Sequence, residues 1–179
     1  SKSRFDVVSK MGRSRIKRFR IGNALLGLRI FVAKSVHTWG FSSFYDRDNF
    51  ERFKKGDYWS IYHYPFFDFD GAKFVDVHDF GLLYLGYHAV LKTSAGYHLI
   101  GLLPMSWYQI VRLMFEALKY GLDTKYLRIS IFRGYCVLRY GSKGKKKRPE
   151  LLVTTSEKKW KEFIKSRVKF LVIYETTNW

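Results

Sequence analysis

Along the chain, apolar residues fall mostly into short alternating runs separated by Gly, Pro and Ser, and in a few stretches they recur instead every three or four positions. Alternation marks half-buried strands and the longer spacing marks helices. Leu25 to Lys34 reads as a strand, with Gly22 and Gly27 as breakers. Asp46 to Lys55 reads as a charged helical connector, and Asp57 to Asp70 as two aromatic strands turning near Pro65. Ala72 to Leu85 fits either a helix or a strand against the core. Tyr87 to Lys92 and Tyr97 to Leu103 read as a strand pair around Thr93-Ser94-Ala95-Gly96. Trp107, Ile110, Val111, Met114 and Leu118 predict a helix from Ser106 to Tyr120, stopped by Gly121. Tyr126 to Phe132 and Tyr135 to Tyr140 read as strands hinged at Arg133-Gly134, followed by a Gly/Lys loop from Gly141 to Arg148 and a short strand from Leu151 to Thr154. Ser156 is placed to cap a last helix carrying Trp160, Phe163 and Ile164, and Val168 to Tyr174 closes the chain as a strand. Strands with two or three interspersed helices predict an α+β or α/β sandwich, with helices packed on an antiparallel or mixed sheet.

Composition narrows this picture. The 179 residues, 47% hydrophobic and 19% aromatic, suffice for one substantial core and exclude disorder. The longest apolar run, Phe80 to Leu91, is too short to span a bilayer, and Arg29 inside the run Ile21 to Ala33 argues against a secretory segment, so no membrane partner is expected. Residues 1–20 read as a basic N-terminal arm and 21–179 as a single domain. The lone Cys136 excludes a disulfide framework and a Cys-based zinc site, which suits a reducing, intracellular setting. Thirty-three Lys and Arg against 15 Asp and Glu give a formal charge of +18, far beyond what solubility needs, so the expected partner is a polyanion, nucleic acid first. Arg13, Arg15, Lys17, Arg18 and Arg20 of the arm, with Lys145, Lys146, Lys147 and Arg148 of the Gly/Lys loop, are the candidate nucleic-acid contacts.

Three constellations carry candidate chemistry. In Phe66-Phe67-Asp68-Phe69-Asp70, the two carboxylates share one face of a strand and the rings at 67 and 69 share the other. Paired hard oxygens suit Mg²⁺ or Mn²⁺, while a polar strand face wetted by solvent accounts equally well for the spacing. An EF-hand is excluded, since Ala72 and Lys73 stand where a ligand and a Gly are required. In the second, Thr93-Ser94-Ala95-Gly96-Tyr97-His98, a turn of small residues lets backbone N–H groups approach a phosphate and His98 can add a donor, although a lone strand histidine is more often structural. The third is Leu122-Asp123 after the helix, with Arg139, Ser142 and Lys143 downstream. Asp123 could complete a metal site or serve as a turn residue, and Arg139 and Lys143 could hold a triphosphate.

Taken in order, Phe66-Phe67-Asp68-Phe69-Asp70, Ser94-Ala95-Gly96-Tyr97-His98 and Leu122-Asp123, trailed by Leu138-Arg139-Tyr140-Gly141-Ser142-Lys143, resemble the archaeo-eukaryotic primase (primase-polymerase) superfamily over residues 57–155. The resemblance implies an RRM-like primase-polymerase catalytic core. It implies Mg²⁺ or Mn²⁺ held by Asp68, Asp70 and Asp123, and nucleotide phosphates met by Ser94, Gly96, His98, Arg139, Ser142 and Lys143. The activity implied is synthesis or extension of primers from NTP or dNTP on a single-stranded DNA template, with a replication helicase or larger primase subunit as partner. The short chain reads as a minimal catalytic core or a small stand-alone member from a mobile element. Two other classes remain open from the residues: a non-catalytic nucleic-acid-binding protein, and a metal-dependent nuclease using the same acids.

Overall fold

A computed structural model of the chain describes residues 13–21, 24–32, 35–142 and 146–177. The fold is mixed α+β, with antiparallel sheets and, among the described residues, five α-helices. The described residues divide into two compact units, one within residues 13–37 with 174–177 and one within residues 38–173.

The first unit contains an antiparallel pair, β1 (Arg13–Ile21) and β2 (Ala24–Val32), in register from Arg13↔Val32 to Ile21↔Ala24. The strand expected at Leu25 to Lys34 is therefore present, and residues 13–20 of the expected basic arm are its partner strand. Residues 1–12 lie outside the described part.

The second unit is built on a four-stranded sheet in the order β10 (Glu150–Thr154), β6 (His88–Lys92), β7 (Gly96–Gly101), β5 (Phe66–Asp70). All three pairings are antiparallel. Phe67 and Phe69 of β5 point to one face, where Phe80 of α2 (Phe74–Tyr84) meets them with ring centroids 5.3 and 6.0 Å away. Phe66 points to the opposite face, onto Phe163 of α5 (Glu157–Arg167) at 5.9 Å. The sheet is thus covered on both sides, and each fully buried ring contributes on the order of 2–3 kcal/mol through burial. A second antiparallel pair joins the end of β3 (Ser35–Ser42) to β9 (Val137–Arg139), with Phe41 opposite Leu138.

The expected helices at 46–55, 106–120 and after Ser156 form as α1 (Arg47–Lys54), α3 (Trp107–Ala117) and α5. Asp46 and Ser156 cap α1 and α5, and Ser106 with Gln109 forms a reciprocal capping box on α3. A 3₁₀ turn, Leu118–Tyr120, ends at Gly121 with φ of 93°. The undecided stretch 72–85 is helical, as α2.

Two strand expectations are corrected. β4 (Tyr62–His63) and β5 do not form a hairpin around Pro65. β4 pairs with β8 (Met105–Ser106) and β5 with β7, while Pro65 accepts a 2.8 Å hydrogen bond from the Gly101 amide. Residues 126–132 are not a strand but lie in α4 (Thr124–Arg133), capped by Asp123 and closed by Gly134 with φ of 77°. The alternation of Leu127, Ile129 and Ile131 with Arg128 and Ser130 suggested a strand. The caps prevail, and burying Tyr126, Leu127 and Ser130 leaves Ile129 and Ile131 exposed. The last strand, expected from Val168, begins after a 3₁₀ turn as β11 (Leu171–Thr177).

Candidate active site on the edge of the sheet

β5 is an edge strand, and the face it shares among Phe66, Asp68 and Asp70 passes from buried to half-buried to exposed along five residues. The core therefore opens to solvent at the two carboxylates. Across the ladder, Asp68 stands opposite His98 and Asp70 opposite Gly96. On the free edge of β5, the Asp68 carbonyl accepts the Asp123 amide at 2.9 Å, which satisfies a backbone group that an edge strand would otherwise leave to water. Three motifs far apart in sequence thus converge on Asp68.

Burial, then the neighbouring carboxylates of Asp70 and Asp123, pushes the Asp68 carboxyl up to about 7, against the opposing charges of Arg139 and Lys146. The side chain is 25% exposed, and its Oδ1 lies 3.6 Å from His98 Nε2, beyond hydrogen-bond distance. That oxygen is buried without a hydrogen-bond partner. His98 is buried and held neutral, its pKa lowered to about 3 by burial and by the Arg139 charge. A buried, partnerless carboxylate oxygen beside a second carboxylate is a donor set that suits a hard divalent cation.

Asp123 has a second task. Its side chain accepts the Lys125 amide at 2.9 Å as the N-cap of α4, which uses one of its oxygens. Among the described residues, no group of three His, Cys, Asp or Glu side chains is spaced to enclose a metal ion.

Ser94 sits exposed in the β6–β7 turn, which is tied to the end of β5 by a 2.9 Å bond from the Gly71 amide to the Ala95 carbonyl. Two of the turn's amides are already committed, because Thr93 Oγ1 accepts from Ala95 at 3.3 Å and from Gly96 at 3.0 Å. Gly96 is required by packing, since a Cβ there would run into the Phe69 carbonyl. Arg139 donates to the carbonyls of Gly141 (2.6 Å) and Lys147 (3.1 Å), bridging the base of the Gly/Lys loop while its charge reaches Asp68 and His98. The Ser142 side is anchored by Thr38 Oγ1, which donates to the Ser142 carbonyl at 2.9 Å.

Lys146, Lys147 and Arg148 are exposed; Lys143 and Lys145 lie outside the described residues. Arg13, Arg15, Lys17, Arg18 and Arg20 all lie on β1 in the other unit.

Two buried groups had no signal in the sequence reading. Arg167 is fully buried, donating to the carbonyls of Ser42 (2.9 Å), Phe44 (2.7 Å) and Tyr45 (3.0 Å), with its guanidinium stacked near Tyr64, Phe163 and Phe170. The Tyr126 hydroxyl donates to the Phe66 carbonyl at 3.0 Å, tying α4 to the start of the Asp-bearing strand. Only a basic position on the apolar side of a helix, next to Phe163, could have flagged Arg167.

No protein-family model, curated protein or solved structure matches the chain.

Proposed function

We propose that the chain is a nucleotidyl transferase of primase-polymerase type, with an RRM-like catalytic core, that makes or extends primers on a single-stranded template. One observation carries this reading: the buried, partnerless Oδ1 of Asp68, on a strand in register with His98 and bonded through its backbone to Asp123. Asp68 and Asp70 would hold Mg²⁺ or Mn²⁺, joined by the Asp123 oxygen that does not cap α4. Bound there, the divalent ion supplies the charge that favours ionisation of a 3′-hydroxyl and departure of pyrophosphate. Arg139 and Lys146 offset negative charge beside the carboxylates, as a polyphosphate requires. Neutral His98 keeps an N–H donor in a site closed to water on that side. A replication helicase or larger primase subunit is the expected partner.

The test is primer synthesis or extension from NTP or dNTP on single-stranded DNA with Mn²⁺. Activity should vanish in Asp68→Ala, and activity surviving that change overturns the assignment. A second reading, a non-catalytic nucleic-acid-binding protein, is favoured by the engagement of Asp123 as a helix cap and by the lack of a ready three-ligand group among the described residues. Calorimetry with no Mn²⁺ or nucleotide affinity but intact template binding supports that reading. Strand cleavage without polymerisation points to a nuclease.

A further inference from the structure

We propose that α4 and the loop between α1 and β4 form a track for single-stranded nucleic acid, stacking bases on Phe132 and Trp59 and leading away from Asp123. The helix carries more apolar surface than its packing uses: Phe132 is 92% exposed, and Ile129 and Ile131 are exposed beside it. The same ten residues carry Lys125, Arg128 and Arg133, all exposed, and no acid. Aliphatic surface alone would suit a protein partner. An unpaired ring interleaved with cations and free of acids suits a polyanion that also offers flat faces.

The helix does not end in open solvent. Gly134 closes it in a left-handed conformation, and a Cβ there would meet the Phe53 ring at 3.0 Å and the Tyr58 ring at 3.4 Å. The C-terminal end of α4 therefore packs, through Gly134, on Phe53 of α1 and Tyr58 of the α1–β4 loop. That loop is pinned. Arg52 Nε donates to Asp57 at 3.1 Å and Arg52 Nη2 to Ser60 at 2.8 Å; Ser60 Oγ donates back to Asp57 at 2.8 Å, and the Asp57 amide bonds the Arg52 carbonyl at 3.2 Å. Tyr58 is braced by Phe53 with ring centroids 5.1 Å apart, and Trp59, next in sequence, stands 58% exposed. A ring carried on a pinned backbone costs less ordering on binding than one on a free loop, which favours a preformed stacking surface. Lys54 and Lys55 are exposed at the end of α1, just before the loop.

The direction of the track follows from its two ends. Asp123 caps the first turn of α4 and Gly134 ends the last, so about 15 Å of helix runs from Asp123 to the end that carries Phe132. The link from track to carboxylates rests on the nucleotidyl-transfer reading, whereas strand binding does not.

The experiment is fluorescence anisotropy of a labelled oligothymidylate of about 20 nucleotides with the full chain over a salt series. Phe132→Ala and Trp59→Ala are each expected to weaken binding roughly 5- to 150-fold without changing the slope of log K against log salt. Arg128→Gln should flatten that slope by about 0.7. Trp59→Phe should retain most of the affinity and Trp59→Leu should not. Asp68→Asn should bind as the parent does, so loss of catalysis and loss of the track are read separately. Binding within twofold of the parent for both alanine variants overturns the proposal, as does full affinity in Trp59→Leu. It is also overturned if sedimentation shows these substitutions dissolving a dimer while oligonucleotide affinity is untouched.

Discussion

Asp68 makes a stability prediction that runs opposite to its chemistry. Its carboxyl is raised from 3.8 to about 7, first by burial and then by Asp70 and Asp123, so the folded chain holds the proton more tightly than the unfolded chain does. Stability from this group is fully present below about pH 4, declines as pH rises toward about 7, and is lost above it. The ceiling on the loss is about 3 pK units at ~1.36 kcal/mol each, or roughly 4 kcal/mol, for a side chain that remains one-quarter exposed. In the metal-free chain, Asp68→Asn removes that cost while keeping the shape. Thermal unfolding followed by circular dichroism in a chelating buffer should therefore show the variant gaining on the parent as pH rises. The gap should widen by roughly 2–3 kcal/mol between about pH 5 and pH 8, or some 4–12 °C for a chain of this size. Adding Mn²⁺ at the higher pH should raise the parent's midpoint and leave Asp68→Asn unmoved, because the proposed metal site requires the ionised Asp68 carboxylate. A gap that stays constant with pH, or a variant less stable than the parent at the higher pH, would refute the electrostatic account of the cluster.

Other perturbations test the scaffold around the site. Arg167→Met should cost about 3 kcal/mol or more, since it strands the carbonyls of Ser42, Phe44 and Tyr45, and Arg167→Lys should recover little because an ammonium cannot reproduce the fork; chemical denaturation measures both. His63 and His98 are both lowered to about 3 by burial, and His63 Nε2 has no partner, so stability should fall as pH drops from about 6.5 toward 3; His63→Gln should flatten that acid limb in a pH series of unfolding midpoints. Gly96→Ala should disrupt the β5–β7 ladder by driving a methyl into the Phe69 carbonyl, seen as a drop in midpoint of several degrees. Gly141→Ala should displace the Trp39 indole, whose Nε1 a Cβ would approach to 2.6 Å, and shift the tryptophan emission with only a modest loss of stability.

The elements legible in the sequence were those whose signals are local. The Ser156 cap, the Gly121 stop and the period of Trp107, Ile110 and Met114 each act within a turn or two, and each marked its helix correctly. The Asp68/Asp70 face was likewise visible from alternation, and the β6–β7 pair from the turn of small residues between its strands. What failed depended on partners distant in sequence, except α4, whose two caps are local but were outweighed by the alternation between them. Whether β4 folds back on β5 or pairs with β8 is decided forty residues away, at Met105 and Ser106. The Leu127, Ile129, Ile131 alternation carries no sign that Asp123 and Gly134 will wind it into a helix until both ends are weighed together. Arg167 was illegible because its acceptors are carbonyls more than 120 residues upstream.

That misread helix is also what gives the site its shape. Were residues 126–132 a strand, Asp123 would end a turn with both carboxylate oxygens unengaged. As the cap of α4, it spends one oxygen on Lys125 and gives its backbone amide to Asp68, so its position is set by the helix and the edge of β5 at once. The Tyr126 hydroxyl, one turn further on, fixes the same helix to the Phe66 carbonyl at the start of β5. Asp123 is therefore held against the Asp-bearing strand by its own backbone amide and by the Tyr126 hydroxyl of the helix it caps, whether or not its carboxylate ever meets a metal. Asp123→Asn, which retains a capping oxygen but removes the charge, separates these roles: it should leave the unfolding midpoint of the metal-free chain nearly unchanged or slightly raised, while weakening Mn²⁺ binding measured by calorimetry. Equal Mn²⁺ affinity in Asp123→Asn and the parent would confine Asp123 to capping and leave Asp68 and Asp70 as the only carboxylates of the proposed site.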